Sequence, residues 1–163
     1  MILFGHLGIT TFLGSLLSLS LIFVFLGAAL PDLIDKPLFI LSLGPSTRFI
    51  GHTLFLGVLI SLIVYIVSRK KVYSISLLFG YFVHLLEDVP YFMPWFYPFI
   101  GYDFPRYSGS GFTPFNIFME FVGFVLLIYV IRTNSHFRIS LNKILNDLKI
   151  RKNKIKSWAY SAT

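Results

Sequence analysis

The sequence contains no cysteine. This absence excludes disulfide bonds, and it also excludes thiolate ligands for a metal ion. A metal site in this chain would therefore be built from imidazole nitrogens and carboxylate oxygens, which four histidines and seven acidic residues can supply. Without cysteine the sequence gives no indication of the redox compartment.

Charged residues are also scarce. They make up 13% of the 163 residues, against about 25% in an average soluble domain, whereas 56% of the residues are hydrophobic and 18% are aromatic. Such a chain has too little polar surface to cover a soluble core. The composition predicts an all-α fold: a polytopic membrane bundle of about four spanning helices in the plasma or inner membrane, with the lipid bilayer as its partner.

Four apolar stretches are long enough to cross a bilayer, which takes about 20 apolar residues. They run approximately over residues 2–30, 49–67, 72–89 and 115–131. The first competes with a secretory signal peptide cleaved near residues 27–29, but it lacks a basic start and exceeds the usual apolar core of about 7–15 residues. We expect the first helix to end at Pro31, and residues 38–43 to form a short interfacial or re-entrant piece.

The basic residues are segregated along the chain. Of the 14 lysines and arginines, eight lie in residues 132–156 and three in residues 69–71. Four spans place both groups on one side of the membrane, and the positive-inside rule makes that side cytoplasmic. We therefore predict a membrane domain over residues 1–131 and a basic cytoplasmic tail over residues 132–163, either bound to anionic headgroups or solvated. Despite the net charge of +7, no nucleic-acid partner is expected.

Polar residues gather at the opposite, outward end of the predicted spans. Asp32 and Asp35 follow the first span, His52 opens the second, and His84 and Asp88 close the third. Polar residues in or beside spans are costly, and they are therefore functional candidates. His84 and Asp88 are four residues apart, so on a helix they share one face and can bind one ion together.

Several candidate residues have alternative structural roles. Asp32 and Asp35 could cap a short helix that follows them. Arg48 could extend to the membrane interface, or it could bind an anionic substrate oxygen beside a metal. Glu120, inside the fourth span, could be a further ligand, a general base or the hydrogen-bond partner of a ligand histidine. Glu87 is predicted to be a solvated neighbour of the site.

Four short motifs occur together, in an order that is typical of one family of membrane proteins. They are Gly5-His6, residues 27–35, Arg48-x-x-Gly51-His52-Thr53 and Gly80-Tyr81-x-x-His84-x-x-x-Asp88. Over residues 5–100 the chain resembles the inner-membrane metal-dependent hydrolases, a multi-span family of largely unknown substrates. The order of the ligands is also similar to that of the zinc-dependent phospholipase C and single-strand nuclease superfamily.

This resemblance implies a metal site. By analogy, Asp32, His52, His84 and Asp88 would hold one divalent metal, zinc or manganese. His6 would help to hold a second metal, with Asp88 bridging the two. The later histidine and the second His-x-x-x-carboxylate pair of the soluble enzymes are not visible in this sequence. The resemblance therefore implies a mononuclear or dinuclear site and not a trinuclear one.

The position of His6 poses a geometric problem. In an unbroken helix His6 would lie roughly 39 Å from Asp32, at about 1.5 Å per residue. His6 reaches the other ligands only if the first segment folds back at Gly14-Ser15, which would make a re-entrant N-terminal helical hairpin. If the segment stays straight, His6 has no role in the site.

The sequence predicts a membrane-bound, metal-dependent hydrolase that acts on a phosphoester or lipid-like substrate through metal-activated water. Asp88, Asp35 or Glu120 could accept the proton, and Arg48 could stabilise the anion. The aromatic loop over residues 90–112 would anchor the bundle at the interface or form a lid over a lipid-like substrate. The alternatives are a metal-ion transporter and a non-enzymatic scaffold whose polar cluster ties helix ends together.

Overall fold

The computed structural model describes residues 3–89, 91–105 and 113–161, with the backbone alone at residues 147, 148 and 151–161. Within these ranges the chain forms six α-helices, one short 3₁₀ helix and no β-strand, which confirms the all-α class. The helices are α1 Phe4–Leu16, α2 Leu21–Ile40, α3 Leu54–Ser68, α4 Lys71–Glu87, α5 Pro114–Thr133 and α6 Ser135–Ser161, and the 3₁₀ helix is Ile50–His52.

The first apolar stretch folds back on itself. α1 ends at Leu16 and α2 begins at Leu21, and Ser18 between them adopts a left-handed backbone conformation with a φ of 54°. The hairpin that would bring His6 toward the other candidate ligands is therefore present, although the break follows Gly14 by a few residues. Gly14 is not the break itself but a packing position. A Cβ there would lie 2.9 Å from the methyl groups of Val24, so a residue without a Cβ lets α1 and α2 pack closely.

α2 does not end where the sequence suggested. The helix continues through Pro31 and Pro37 to Ile40, so the expected end at Pro31 and the separate piece over residues 38–43 are both wrong. Helices within membranes tolerate proline because neighbouring groups can satisfy the backbone carbonyls that it frees. Asp32 and Asp35 consequently lie on a helix and not in a loop, and Asp35 is fully buried against the rest of the bundle.

Glycines set the closest contacts between helices. A Cβ on Gly27 of α2 would collide with the carbonyl oxygen of Leu77 of α4, and a Cβ on Gly80 of α4 would collide with the carbonyl oxygen of Val24. Small residues at such positions allow two helix backbones to approach directly. This close packing holds the first half of α2 against the middle of α4, and the two helices then continue to the candidate ligands near their C-termini.

The bundle has two distinct ends. The site end comprises the N-termini of α1, α3 and α5, the C-termini of α2 and α4, and the 3₁₀ helix. The basic end comprises the α1–α2 connection, residues 69–71 and the start of α6, where Phe137 packs against Leu21 and Val130. The predicted domain boundary at residue 131 thus falls inside α5, and the first turn of α6 belongs to the packed bundle.

α5 is the one helix in the described ranges that is both long enough and apolar enough to cross a membrane, with a mean hydropathy of 2.0. α1, α3 and α4 have 13, 15 and 17 residues. α2 has 20 residues, but Asp32, Asp35 and Lys36 lie within it. The structure therefore shows an all-α bundle with one clear candidate span where four were predicted.

Candidate metal centre

Five polar side chains converge at the site end. They come from four separate segments: His6 from α1, Asp32 from α2, His52 from the 3₁₀ helix, and His84 and Asp88 from the end of α4. Potential ligand atoms of His6, His84 and Asp88 lie within 4.8 Å of one another, and so do those of Asp32, His52 and His84. Because His84 belongs to both groups, the arrangement offers two alternative positions for a cation.

The polar atoms of this cluster face one another at short range. His84 Nε2 lies 3.4 Å from His52 Nε2, and His6 Nε2 lies 3.4 Å from Asp88 Oδ1. His52 Nε2 is 3.6 Å from Asp88 Oδ2 and 3.8 Å from Asp32 Oδ1. All of these residues are buried except Asp32, whose side chain is 14% exposed. Buried imidazole and carboxylate groups at these distances are the donors from which a cysteine-free metal site is made.

Asp35 orients His52. Its carboxylate accepts hydrogen bonds from the backbone N–H of Phe49 at 2.6 Å and of Gly51 at 2.7 Å, and it lies 2.7 Å from His52 Nδ1. Because an ionised carboxylate only accepts, Nδ1 carries the proton and Nε2 is left with its lone pair toward the cluster. A carboxylate engaged by three donors is poorly placed to take up a proton. The geometry thus favours an orienting role for Asp35 over the predicted proton acceptor or cap of a following helix.

The short segment that carries His52 is held from both sides. A Cβ on Gly51 would lie 2.8 Å from Asp35 Oδ1, so the glycine allows the carboxylate to approach the backbone. The Tyr81 hydroxyl donates a hydrogen bond to the Gly51 carbonyl. Thr53 then caps α3, its hydroxyl oxygen accepting from the N–H of Leu56 at 3.2 Å. These contacts explain why a glycine, a histidine and a threonine follow one another here.

Glu87 is part of the site, and the prediction of a solvated neighbour was wrong. Its Oε2 lies 2.7 Å from His6 Nδ1, its Oε1 accepts a hydrogen bond from the Thr10 hydroxyl at 3.2 Å, and the side chain is only 10% exposed. Glu87 therefore orients His6 as Asp35 orients His52. The sequence held a signal for this role, since Glu87 follows His84 by three residues and residues three apart share a helix face.

Arg48 is buried and does not extend to the interface, so that alternative was wrong. Its Nε donates to Asp88 Oδ2 at 2.7 Å, and the guanidinium lies 4.6 Å from the centre of the Tyr91 ring. This ion pair stabilises the ionised form of the buried Asp88 carboxyl. The ionised form is the one that binds a metal ion, so Asp88 is a candidate ligand.

His52 lies among three carboxylates. Oxygens of Asp35, Asp88 and Asp32 are 2.7, 3.6 and 3.8 Å from its ring nitrogens. A bound divalent cation would balance this concentration of negative charge.

Glu120 lies apart from this arrangement. Its carboxylate accepts the backbone N–H of Phe4 at 2.7 Å and of Leu3 at 3.1 Å, at the N-terminus of α1. A negative charge there satisfies unpaired N–H groups and interacts favourably with the helix dipole. The position fits a helix cap, and not the predicted ligand, general base or partner of a ligand histidine.

Residues 91–105 pack over the site end. The Trp95 carbonyl accepts the N–H of Leu54 at 3.0 Å, Met93 is buried, and Phe104 makes an edge contact with Phe49 at 5.3 Å between ring centres. This half of the aromatic loop is therefore fixed to the bundle. The rest of the predicted belt or lid, residues 106–112, and Pro90 lie outside the described residues.

Comparison with known proteins identifies a family. No curated protein and no solved structure matches the chain. Residues 1–145 match the model of a family described as YdjM inner membrane protein, a description that gives a location and no activity. The match includes all five converging residues, the two orienting carboxylates and the start of α6. The chain belongs to the YdjM inner membrane protein family.

Proposed function

We propose that this protein is a membrane-bound, metal-dependent hydrolase of phosphoesters. The observation that carries the proposal is the convergence of three histidines and two aspartates from four chain segments, in two groups that share His84. Ionisable side chains are costly to bury in a membrane protein, so a largely buried cluster of five is a candidate for function.

The donor set fits zinc or manganese. Imidazole and carboxylate are ligands that both metals accept. His84 could hold an ion with His6 and Asp88, or with Asp32 and His52. A neutral imidazole has one free lone pair, so His84 would bind one ion at a time. A histidine that binds a metal commonly donates its other ring N–H to a carboxylate, and His6 and His52 each have such a partner in Glu87 and Asp35.

A divalent ion held here would supply an activated water for hydrolysis. Of the three predicted proton acceptors, Asp88 is the one that belongs to a group of candidate ligands. Asp35 instead holds His52 and the backbone before it, and Glu120 caps α1. Arg48 places a guanidinium beside Asp88, where it would stabilise an anionic oxygen of a phosphoester. Each of these residues is held by a second contact, so the site is positioned before substrate binds.

We infer that the site end faces away from the cytoplasm. The α1–α2 hairpin adds a crossing to the four that were predicted, so α1–α5 would form a five-helix membrane unit whose N-terminus lies at the site end. Residues 69–71 and the start of the basic tail lie together at the opposite end, which the positive-inside rule assigns to the cytoplasm.

The proposal is tested by measuring metal content and hydrolysis together. The full chain, purified in detergent under metal-replete conditions, is expected to carry one or two equivalents of zinc or manganese. Hydrolysis of phosphoester substrates should stop after chelation and return on adding the metal. A protein that carries no metal under these conditions, and that is equally stable with and without chelator, would indicate a structural polar cluster. Metal uptake into vesicles without hydrolysis would indicate a transporter.

An Asp35→Asn variant is expected to bind metal about 10- to 100-fold more weakly, because His52 loses the acceptor that fixes its ring. Metal affinity is measured by competition with a chelator, and thermal unfolding checks that the variant still folds. Asp103→Asn is the matched control, since Asp103 is exposed in the aromatic loop. Equal affinities in the two variants would show that Asp35 has no influence on a metal site.

A further inference from the structure

A groove between α1 and α2 opens beside the metal centre. Its volume is ≈ 350 Å³, within the range of small-molecule sites. Its outer rim is exposed, with Leu33 64% and Ile40 78% accessible. Its apolar wall consists of Leu3, Leu7, Ala29, Leu33, Pro37 and Ile40. A groove with this lining, on the outer face of a membrane bundle, is reached sideways from the bilayer.

The groove is polar only where it meets the metal centre. Asp32 and Lys36 lie at this place, and Lys36 Nζ is 2.6 Å from Asp32 Oδ2. The other oxygen of Asp32, Oδ1, is 3.8 Å from Nε2 of His52. Asp32 therefore connects the groove to the cluster, and the Lys36 side chain, 44% exposed, adds a positive charge at the junction.

We propose that this groove holds an acyl chain of a membrane phospholipid, the substrate, with its phosphate between Lys36 and the metal centre. The proposal rests on the proposed hydrolase function. An apolar groove that opens toward lipid would contribute nothing to binding a small water-soluble phosphoester, whereas an acyl chain fits it. The ammonium group of Lys36 is opposite in charge to a lipid phosphate.

The chemistry is that of water added across a phosphoester bond of the lipid headgroup. The phosphorus–oxygen bond breaks, phosphorus gains the hydroxyl group, and the leaving oxygen takes the remaining proton. The products are an alcohol and a phosphate that carries one ester fewer. No oxidant, reductant or second substrate is required.

The test uses the full chain in vesicles of phosphatidylethanolamine and phosphatidylglycerol, with a trace of phosphatidylglycerol that carries a photoactivatable group in its acyl chain. Cross-links should concentrate on the α1 and α2 residues of the groove. Raising the share of unlabelled phosphatidylglycerol in the vesicles should reduce them more than adding the same share of diacylglycerol. Ala29→Trp fills the groove and should lose these cross-links. Lys36→Met should keep them but lose the preference for the phosphate-bearing competitor.

The control is Ile75→Trp, which adds the same bulk at an exposed position on α4, and it should label like the wild type. Metal content is measured in every variant and should not change. Loss of metal binding can therefore be distinguished from loss of lipid binding. Even labelling around the bundle, or unchanged labelling of Ala29→Trp, would overturn the lipid proposal while leaving the hydrolase proposal standing. Selective labelling of a chain that binds no metal would overturn the substrate role.

Discussion

A His84→Ala variant is expected to lose the metal whichever of the two positions it occupies, so that purified protein carries essentially none. His84 is the residue that the two groups of ligand atoms have in common, and it is fully buried between them. Removing its imidazole leaves only two protein ligands at each position, and four-coordinate sites rarely hold zinc with two. Metal per chain is measured by elemental analysis of protein purified in detergent.

A His6→Ala variant distinguishes the two positions. It removes a ligand from one group and leaves Asp32, His52 and His84 intact, so it should reduce the metal content without abolishing it. His136→Ala is the control, because His136 lies near the start of α6 at the basic end and should have no effect. Since His84→Ala also leaves a buried space, His84→Gln provides a bulkier replacement. Full metal content in folded His84→Ala protein would contradict the proposed centre.

A Gly80→Val variant is expected to destabilise the bundle by about 3 kcal/mol or more, at the upper end of the range for overpacking. The added side chain would meet the carbonyl oxygen of Val24, a backbone atom in α2 that cannot turn aside as a flexible side chain can. The two helices would have to move apart. Because α2 carries Asp32 and α4 carries His84, the same movement would separate ligands of one position. Thermal unfolding in detergent measures the loss of stability.

Gly101→Ala is the matched control for this packing argument. A Cβ at Gly101 would have no atom within 4 Å, and the residue does not need the left-handed conformation that favours glycine. Its melting temperature should stay close to that of the wild type. If Gly80→Val had the same melting temperature as Gly101→Ala, the inference that α2 and α4 approach closely at Gly80 would be wrong.

The distribution of buried charge bears on the transporter alternative. Within the described residues, every buried charged or histidine side chain belongs to the site end: His6, Asp35, Arg48, His52, His84 and Asp88. Toward the basic end the buried polar groups are hydroxyls, such as those of Ser61 and Ser76. A conduction path needs ion-binding groups along its length, whereas a catalytic site needs them at one place.

Membrane residence, helical class and the types of side chain that could bind a metal were determined by the sequence alone. The first two follow from the hydrophobicity of whole segments, and the third follows from the absence of cysteine. The pairing of His84 with Asp88 was predictable as well, because residues four apart share a helix face whatever surrounds the helix. These properties are local, so each can be inferred without knowing how the helices pack.

The tertiary structure decided which other residues join the site. His6 meets Glu87 across 81 positions of sequence, and this contact exists only because α1 folds back and α4 packs beside it. The same is true of Asp35, which lies on a helix that continues through Pro31 and so reaches His52. Glu120, chemically equivalent to Glu87, was carried by its own helix to the N-terminus of α1 instead. Contacts of this kind depend on which helices are neighbours and on how closely they pack. Glycines that lie against the backbone of a distant segment set that closeness.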